Sequence, residues 1–138
     1  MDTIEQNQEI NHAEMLEKPH ACAFSAICPT RLVLNRIADK WTVLVVILLQ
    51  DDTKRFSHLQ REIDGISQKM LTQTLRGLER DGLVTRKVHA TVPPKVEYSL
   101  TPLGHTLKDM LYAVKTWSEA NIEAVLNAQK SYDKLNAK

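Results

Sequence analysis

Apolar and polar positions alternate with a helical period between Gly65 and Gly82. Ser67 suits the N-cap of a helix, and Gly82 suits its end because glycine readily adopts a left-handed conformation. Placed 100° apart, five residues share one apolar side: Met70, Leu71, Thr74, Leu75 and Leu78. The pattern predicts a helix over residues 68–81 with one side packed against a core.

The opposite side of this helix is polar and has no carboxylate before Glu79. It carries Gln68, Lys69, Thr72, Gln73, Arg76 and Arg80. These are side-chain types that hydrogen-bond base edges and phosphates, so the side has the composition of a DNA-reading surface. An ordinary solvated helix also turns polar residues outward, so the neighbouring elements have to decide between the two interpretations.

The preceding segments predict three further helices. Pro29 favours a first helix that ends near Asp39, with Cys28 at its N-cap. The apolar run Trp41–Leu49 fits a buried strand or a buried helix by periodicity, and its length favours the helix. After a minimal strand at residues 54–56, Ser57 can cap a short helix that runs through residues 58–63. That helix, the turn at Gly65 and the helix over residues 68–81 have the order of a helix-turn-helix.

Two short strands are predicted after Gly82, at residues 83–88 and 96–100, joined by a stiff connector that contains Pro93 and Pro94. The resulting hairpin carries Arg86, Lys87, His89 and Lys95. A helix-turn-helix followed directly by a basic hairpin is the order of a winged helix. The predicted fold class is mainly α with a small β-hairpin (α+β).

Thr101 and Pro102 predict the start of a long final helix. If this helix ends near Gln129 it is about 40 Å long, more than one small domain can cover. We therefore expect the N- and C-terminal helices to form a homodimer, although a helix folded back along its own domain is the alternative. The predicted interface contains Leu107, Leu111, Val114, Trp117 and Ile122.

The 138 residues suit one domain, for which we predict an acidic arm at 1–27, the winged-helix domain at 28–129 and a flexible tail at 130–138. The net charge is only +1, but residues 67–95 carry six basic against two acidic side chains. Double-stranded DNA is therefore the expected partner despite the small total charge. The longest apolar run, Val43–Leu49, is far shorter than a membrane span, and no signal peptide is present, which favours a cytoplasmic location.

The two cysteines, Cys22 and Cys28, are expected in a reducing compartment to be free thiols, metal ligands or redox sensors. The spacing of His20, Cys22 and Cys28 is not a usual zinc pattern and lacks a fourth ligand, so we expect neither a metal nor a cofactor. A helix N-terminus and nearby Arg31 would favour a thiolate at Cys28. Simple packing of Cys28 as a small apolar residue is the alternative. No spacing typical of catalytic residues is present, so an enzyme is not expected.

Several stretches resemble the HxlR-type transcriptional regulators, a branch of winged-helix proteins related to the MarR regulators. The resemblance covers about residues 28–117 and is carried by Cys28-Pro29, Ile37–Trp41, Arg55–Leu59, Ile66–Thr72, Leu78–Val84 and Val92–Gly104. It implies dimeric bacterial proteins that bind near-palindromic operators and usually repress neighbouring genes. Several members resemble thiol sensors that use the cysteine of the Cys-Pro pair, here Cys28, with Cys22 as a possible partner. Other members sense something else or have no known signal. A regulator of this type that responds to a small-molecule ligand rather than to redox is therefore the alternative for this chain.

Two functional hypotheses result. In the first, the chain is a DNA-binding regulator. Its predicted contact residues are Ser57, His58, Ser67, Gln68, Lys69, Thr72, Gln73, Arg76, Arg86, Lys87, His89 and Lys95. In the second, the winged helix is a protein-interaction module without a specific DNA site; the basic segment and the carboxylate-free helix side argue against it.

Overall fold

The computed structural model describes residues 23–137. Within this range, residues 23–39 belong to one compact unit and residues 40–137 to a second. In chain order the helices and strands are α1 (Thr30–Ile37), α2 (Lys40–Leu48), β1 (Lys54–Arg55), α3 (Phe56–Glu62), α4 (Gln68–Arg80), β2 (Val84–His89), β3 (Lys95–Leu100) and α5 (Pro102–Asn136). The predicted mainly helical fold with a small antiparallel sheet is confirmed.

The first unit contains a series of turns over residues 23–29 and helix α1. Pro29 has helical backbone angles and is itself the N-cap residue, so the prediction that Cys28 occupies the N-cap is wrong by one position. Proline at this position leaves no side-chain cap. The apolar residues of α1 are not buried in the chain: Leu32 is 74% exposed and Val33 is 56% exposed.

Helix α2 confirms the choice of a helix over a strand for the apolar run after Trp41. Thr42, Val45 and Val46 are buried, as is Leu49 just after the helix. The helix packs against α4 and α5, so it is surrounded by other elements. This explains why its sequence is apolar nearly all round and shows no amphipathic period.

Helices α3 and α4 form the predicted helix-turn-helix, with Gly65 in the turn at a φ of 84°. Arg55, in extended backbone, is the N-cap of α3 and makes no side-chain capping bond. The predicted capping role of Ser57 is therefore wrong, because Ser57 lies inside the first turn of the helix. The reason is that β1 ends at Arg55 and the chain enters the helix at once.

The recognition helix, α4, begins and ends as the sequence predicts. The Ser67 hydroxyl accepts a hydrogen bond from the backbone N–H of Met70 at 3.1 Å. At the other end Gly82 has a φ of 75°, and the N–H of Leu83 donates to the carbonyl of Leu78 at 2.9 Å. These are the features of a Schellman motif, which a residue with a Cβ would strain.

The three strands form one antiparallel sheet in the order β1, β3, β2. In the wing hairpin Val84 lies opposite Leu100 and His89 lies opposite Lys95. The short strand β1 adds to the other side of β3, where Lys54 lies opposite Tyr98. The sheet therefore connects the start of the helix-turn-helix to the wing.

Helix α5 is 35 residues long, which corresponds to about 52 Å. It extends seven residues beyond the end at Gln129 that the sequence pattern indicates. At its start the Thr101 hydroxyl accepts from the N–H of Gly104 at 3.0 Å and donates to the carbonyl of Gly82 at 2.6 Å. Among residues 23–137, no helix is long and apolar enough to cross a membrane.

Candidate nucleic-acid interface

The outer side of α4 is accessible over its first two turns. Gln68, Lys69, Gln73 and Arg76 are exposed, and Thr72 between them is half-buried. Together with Ser67 they line one shallow concavity at the surface. The predicted reading residues of this helix are thus brought together on one side, away from Leu71, Leu75 and Leu78 in the core.

The hydrogen bonds of Ser67 and Thr72 limit what each can offer to a ligand. The Thr72 hydroxyl donates to the carbonyl of Gln68 at 2.8 Å, so its proton is already used within the helix. Thr72 can then accept a hydrogen bond or place its methyl group against an apolar group such as the thymine methyl. Ser67 uses its oxygen as the helix cap, which leaves its hydroxyl proton free to donate to a phosphate.

In α3, His58 is engaged by a carboxylate that the sequence analysis did not single out. Its Nε2 lies 3.0 Å from Oε1 of Glu62, and Nζ of Lys54 lies 3.5 Å from Oε2 of the same residue. Partial burial raises the pKa of Glu62, but the hydrogen bond and charge of His58, with the charge of Lys54, outweigh it and lower the pKa overall. The four-residue spacing of His58 and Glu62 on one helix is the sequence signal for this pair.

A second carboxylate, Glu97, engages two of the four predicted wing residues. Nζ of Lys95 lies 2.7 Å from Oε1 of Glu97, and Nε2 of His89 lies 3.2 Å from Oε2, although the ring N–H is not aligned for a hydrogen bond. The hydrogen bond from Lys95 lowers the pKa of Glu97 against the opposing effect of desolvation, and His89 adds to the lowering. This pairing therefore stabilises the folded protein at pH values above the ordinary carboxyl pKa. The stabilisation is lost as the pH falls through the pKa of folded Glu97.

The remaining predicted wing residues, Arg86 and Lys87, are exposed. Adjacent residues of a strand point to opposite faces of a sheet. Lys87 lies opposite Glu97 and shares a face with His89 and Lys95, whereas Arg86 lies opposite Tyr98 on the other face. The four basic wing residues are thus divided between two faces of the hairpin.

The predicted interface residues of α5 differ in their accessibility. Leu111 is 2% exposed within the single chain, so its placement on an exposed interface is wrong: it is a core residue. Leu107 is half-buried. Val114, Trp117 and Ile122 are exposed, together with further apolar residues of α5: Leu103, Met110, Tyr112, Val125, Leu126, Tyr132 and Leu135.

Cys28 is 3% exposed and is disulfide-bonded in this structure. Its predicted partner Cys22 lies outside the described residues, as does His20. The Arg31 guanidinium donates to the carbonyls of Ala23 and Phe24 at 2.9 and 2.8 Å. Arg31 therefore fastens the turns that lead to Cys28, a role that the sequence analysis did not predict. Within residues 23–137, no group of three His, Cys, Asp or Glu side chains could hold a metal.

The outer side of the recognition helix is exposed and has no carboxylate before Glu79. Together with the short helix before it and the wing after it, this helix defines a winged-helix protein of the DNA-binding class. Residues 36–126 match the model of the HxlR-like helix-turn-helix family, and the chain belongs to that family. It is a transcriptional regulator of the HxlR type.

Relatives and solved structures agree with this assignment. The HTH-type transcriptional regulator YtfH of Escherichia coli K12 is 46% identical over 103 residues, which cover 75% of this chain and 82% of YtfH. The structure of the transcriptional regulator ytfH from Salmonella typhimurium has a TM-score of 0.73 at 45% identity and covers 78% of this chain and 96% of its own. The structure of the redox regulator HypR in its oxidized form has a TM-score of 0.64 at 45% identity. The match covers 68% of this chain and 97% of the HypR chain.

Proposed function

We propose that this regulator binds double-stranded operator DNA as a homodimer, acts as a repressor, and is switched by oxidation or electrophile modification at Cys28. The observation that carries DNA binding is the outer side of α4, where Gln68, Lys69 and Gln73 are exposed with no carboxylate among them. In the major groove, amide side chains bind adenine edges and lysine binds guanine or phosphate. We assign Ser57, Ser67 and Lys87 to contacts with the DNA backbone at the ends of this surface.

Dimerisation is supported by the apolar residues that the single chain leaves uncovered on α5. Trp117 is 63% exposed, and Val114, Ile122 and Val125 are exposed on the same helix. A second copy of the chain that packs against this stripe would remove the apolar surface from water. Two recognition helices related by a twofold axis would then meet successive major grooves of a near-palindromic operator.

Regulation through Cys28 is supported by its disulfide bond. It is also supported by the hydrogen bonds from the Arg31 side chain to the turns that precede Cys28. A relative of similar fold carries the name redox regulator. In the reduced protein the thiol of Cys28 would form a disulfide with a second thiol, giving up two electrons and two protons to the oxidant. A small-molecule effector that acts without Cys28 is the second candidate mechanism.

The test measures binding of the purified protein to its own upstream duplex by fluorescence anisotropy, with a scrambled duplex as control. We expect reduced wild type to prefer the upstream duplex, to lose affinity after diamide treatment and to recover with dithiothreitol. The Cys28→Ser variant should bind like the reduced wild type and should not respond to diamide.

Each part of the proposal has its own opposing result. Equal, weak binding to both duplexes would contradict the regulator of a specific operator and favour a protein-interaction module. A Cys28→Ser variant that still releases DNA with diamide would contradict the thiol switch. Wild type that binds identically in every redox state would leave a regulator whose effector is a small molecule.

Glu97 is expected to limit the DNA affinity of the wing, because its carboxylate pairs with Lys95 and lies next to His89 within the protein. Replacing Glu97 with glutamine should increase the affinity for any duplex several-fold at low salt. The slope of the logarithm of the binding constant against the logarithm of the salt concentration should become steeper by about one released counterion. The measurement is anisotropy from 50 to 200 mM salt, a range over which such contacts are sensitive. Glu123→Gln, the same charge change on α5, is the matched control. Equal effects of the two variants would show that only net charge matters.

A further inference from the structure

A cleft of about 180 Å³ lies between the recognition helix and the wing sheet. It is lined by Thr72, Leu75, Arg76, Glu79, Arg86 and Tyr98. The first four residues come from α4 and the last two from facing positions of β2 and β3. Two arginines from different elements therefore line one concave site.

The two arginines of the cleft have no carboxylate partner within residues 23–137. In that part of the chain, ion pairs join Lys54 and His58 to Glu62, His89 and Lys95 to Glu97, and Lys115 to Glu119. Arg76 and Arg86 are in none of them. Glu79 also lines the cleft but lies beyond 4.0 Å of both guanidinium groups. The cleft thus contains two unpaired cations and one carboxylate.

The hairpin register explains why Arg86 reaches this cleft while the other basic wing residues do not. Arg86 shares its sheet face with Val84 and Tyr98, both buried. That face is turned toward the core and α4, which β2 contacts. Lys87, His89 and Lys95 lie on the opposite face. Arg86 is therefore an exposed cation on the face of the wing that is turned toward α4, whereas the other three basic residues lie on the opposite face.

When a winged helix binds B-DNA, a DNA strand lies next to the position of this cleft. With the recognition helix in the major groove and the wing toward the adjacent minor groove, one sugar-phosphate strand separates the two elements. Guanidinium groups bind phosphate oxygens bidentately and remain charged at all relevant pH values. A cleft with two free guanidinium groups between helix and wing suits a phosphate of that strand.

We propose that Arg76 and Arg86 form a clamp for one phosphodiester group of the DNA strand that crosses between the recognition helix and the wing. The inference rests on the proposed DNA binding and deepens it. It assigns Arg76 to the backbone and not to a base edge, so Gln68, Lys69, Thr72 and Gln73 are left to read sequence. Glu79 leaves the cleft with a net charge of one, which disfavours capture of a free multivalent anion without the other DNA contacts.

The first experiment compares Arg76→Ala, Arg86→Ala and the double variant on operator and scrambled duplexes. Each single change should weaken both duplexes by the same factor, about tenfold, and leave the operator preference unchanged. The double variant should lose less than the product of the two single factors, since both groups hold one phosphate. Gln73→Ala should instead reduce the operator preference about tenfold. Lys130→Ala on α5 controls for net charge, and thermal unfolding confirms that each variant is folded.

The second experiment places a single uncharged methylphosphonate at each operator position in turn. One position per half-site should weaken wild type while having no effect on the double variant. Inorganic phosphate should compete no better than chloride at equal ionic strength.

A change of operator preference in Arg76→Ala would overturn the clamp, because Arg76 would then read a base. A methylphosphonate scan with no position shared by the two arginines would overturn it as well, with operator binding by wild type intact. Specific displacement of DNA by phosphate from wild type but not from the double variant would assign the cleft to a free anion instead. Absence of duplex binding by wild type would remove the proposed function and the clamp together.

Discussion

Replacing Gly104 with alanine is expected to lower the free energy of unfolding by about 1–3 kcal/mol or more. An ideal Cβ at this position would overlap the backbone carbonyl oxygen of Leu83 and would lie 3.2 Å from Cδ2 of Leu100. The same change at an open helix position stabilises by up to about 1 kcal/mol, so the predicted sign is the reverse of the usual one. Urea denaturation followed by circular dichroism measures the effect.

Asp109→Ala is the control for Gly104→Ala, because Asp109 is exposed on the same helix. It should leave stability unchanged or raise it slightly. A Gly104→Ala variant as stable as wild type would mean that α5 can move away from Leu83 at little cost. The close approach would then not be required by the fold.

Replacing Trp117 with glutamate is expected to split the proposed dimer and to weaken operator binding by about 10²- to 10⁴-fold. The indole is 63% exposed in the single chain and would lie within the apolar stripe of α5 that the second copy covers. A charge there has to be desolvated on association, and the monomer loses the gain from binding two half-sites at once. Analytical ultracentrifugation and anisotropy on a full operator test both effects.

Thr116→Glu is the matched control for Trp117→Glu, because it introduces the same charge one residue away and about 100° round the helix. Thr116 is exposed and lies on the side of α5 away from Val114 and Ile122. The control should remain dimeric and bind like wild type. On a half-site duplex, the Trp117→Glu variant should bind about as well as wild type, which separates loss of the dimer from loss of the reading surface. A dimeric Trp117→Glu variant would place the interface elsewhere.

The recognition helix could be predicted almost residue by residue, because its signals are local. The cap at Ser67, the left-handed glycine at 82 and the apolar spacing between them all agree, and the structure places the helix at Gln68–Arg80. The first residue of α3 is harder to predict from the sequence. Its first residue, Phe56, follows a two-residue strand whose existence depends on pairing with β3, a contact distant in sequence.

The chemistry of the wing could be predicted only in composition. The sequence indicates four basic residues, but which of them are free depends on the register of β2 against β3. That register brings His89 to Glu97 and places Arg86 on the other face of the hairpin. Lys95 reaches Glu97 independently of the register, because the two residues are two positions apart on β3 and share a face. Similarly, the period of α5 identifies an apolar stripe but does not divide it between the core, which takes Leu111, and the exposed side with Trp117.

The hydrogen bonds of Thr101 link the start of α5 to the residues that follow the recognition helix. Its hydroxyl binds the carbonyl of Gly82 at 2.6 Å, and its N–H binds the carbonyl of Leu83 at 3.1 Å. A rotation of α5 would therefore also displace the C-terminal end of α4, because these hydrogen bonds connect the two. In the proposed dimer, the crossing angle of the two α5 helices would set the distance between the recognition helices. A change of a few degrees at the subunit interface would then be enough to move them out of phase with the DNA turn.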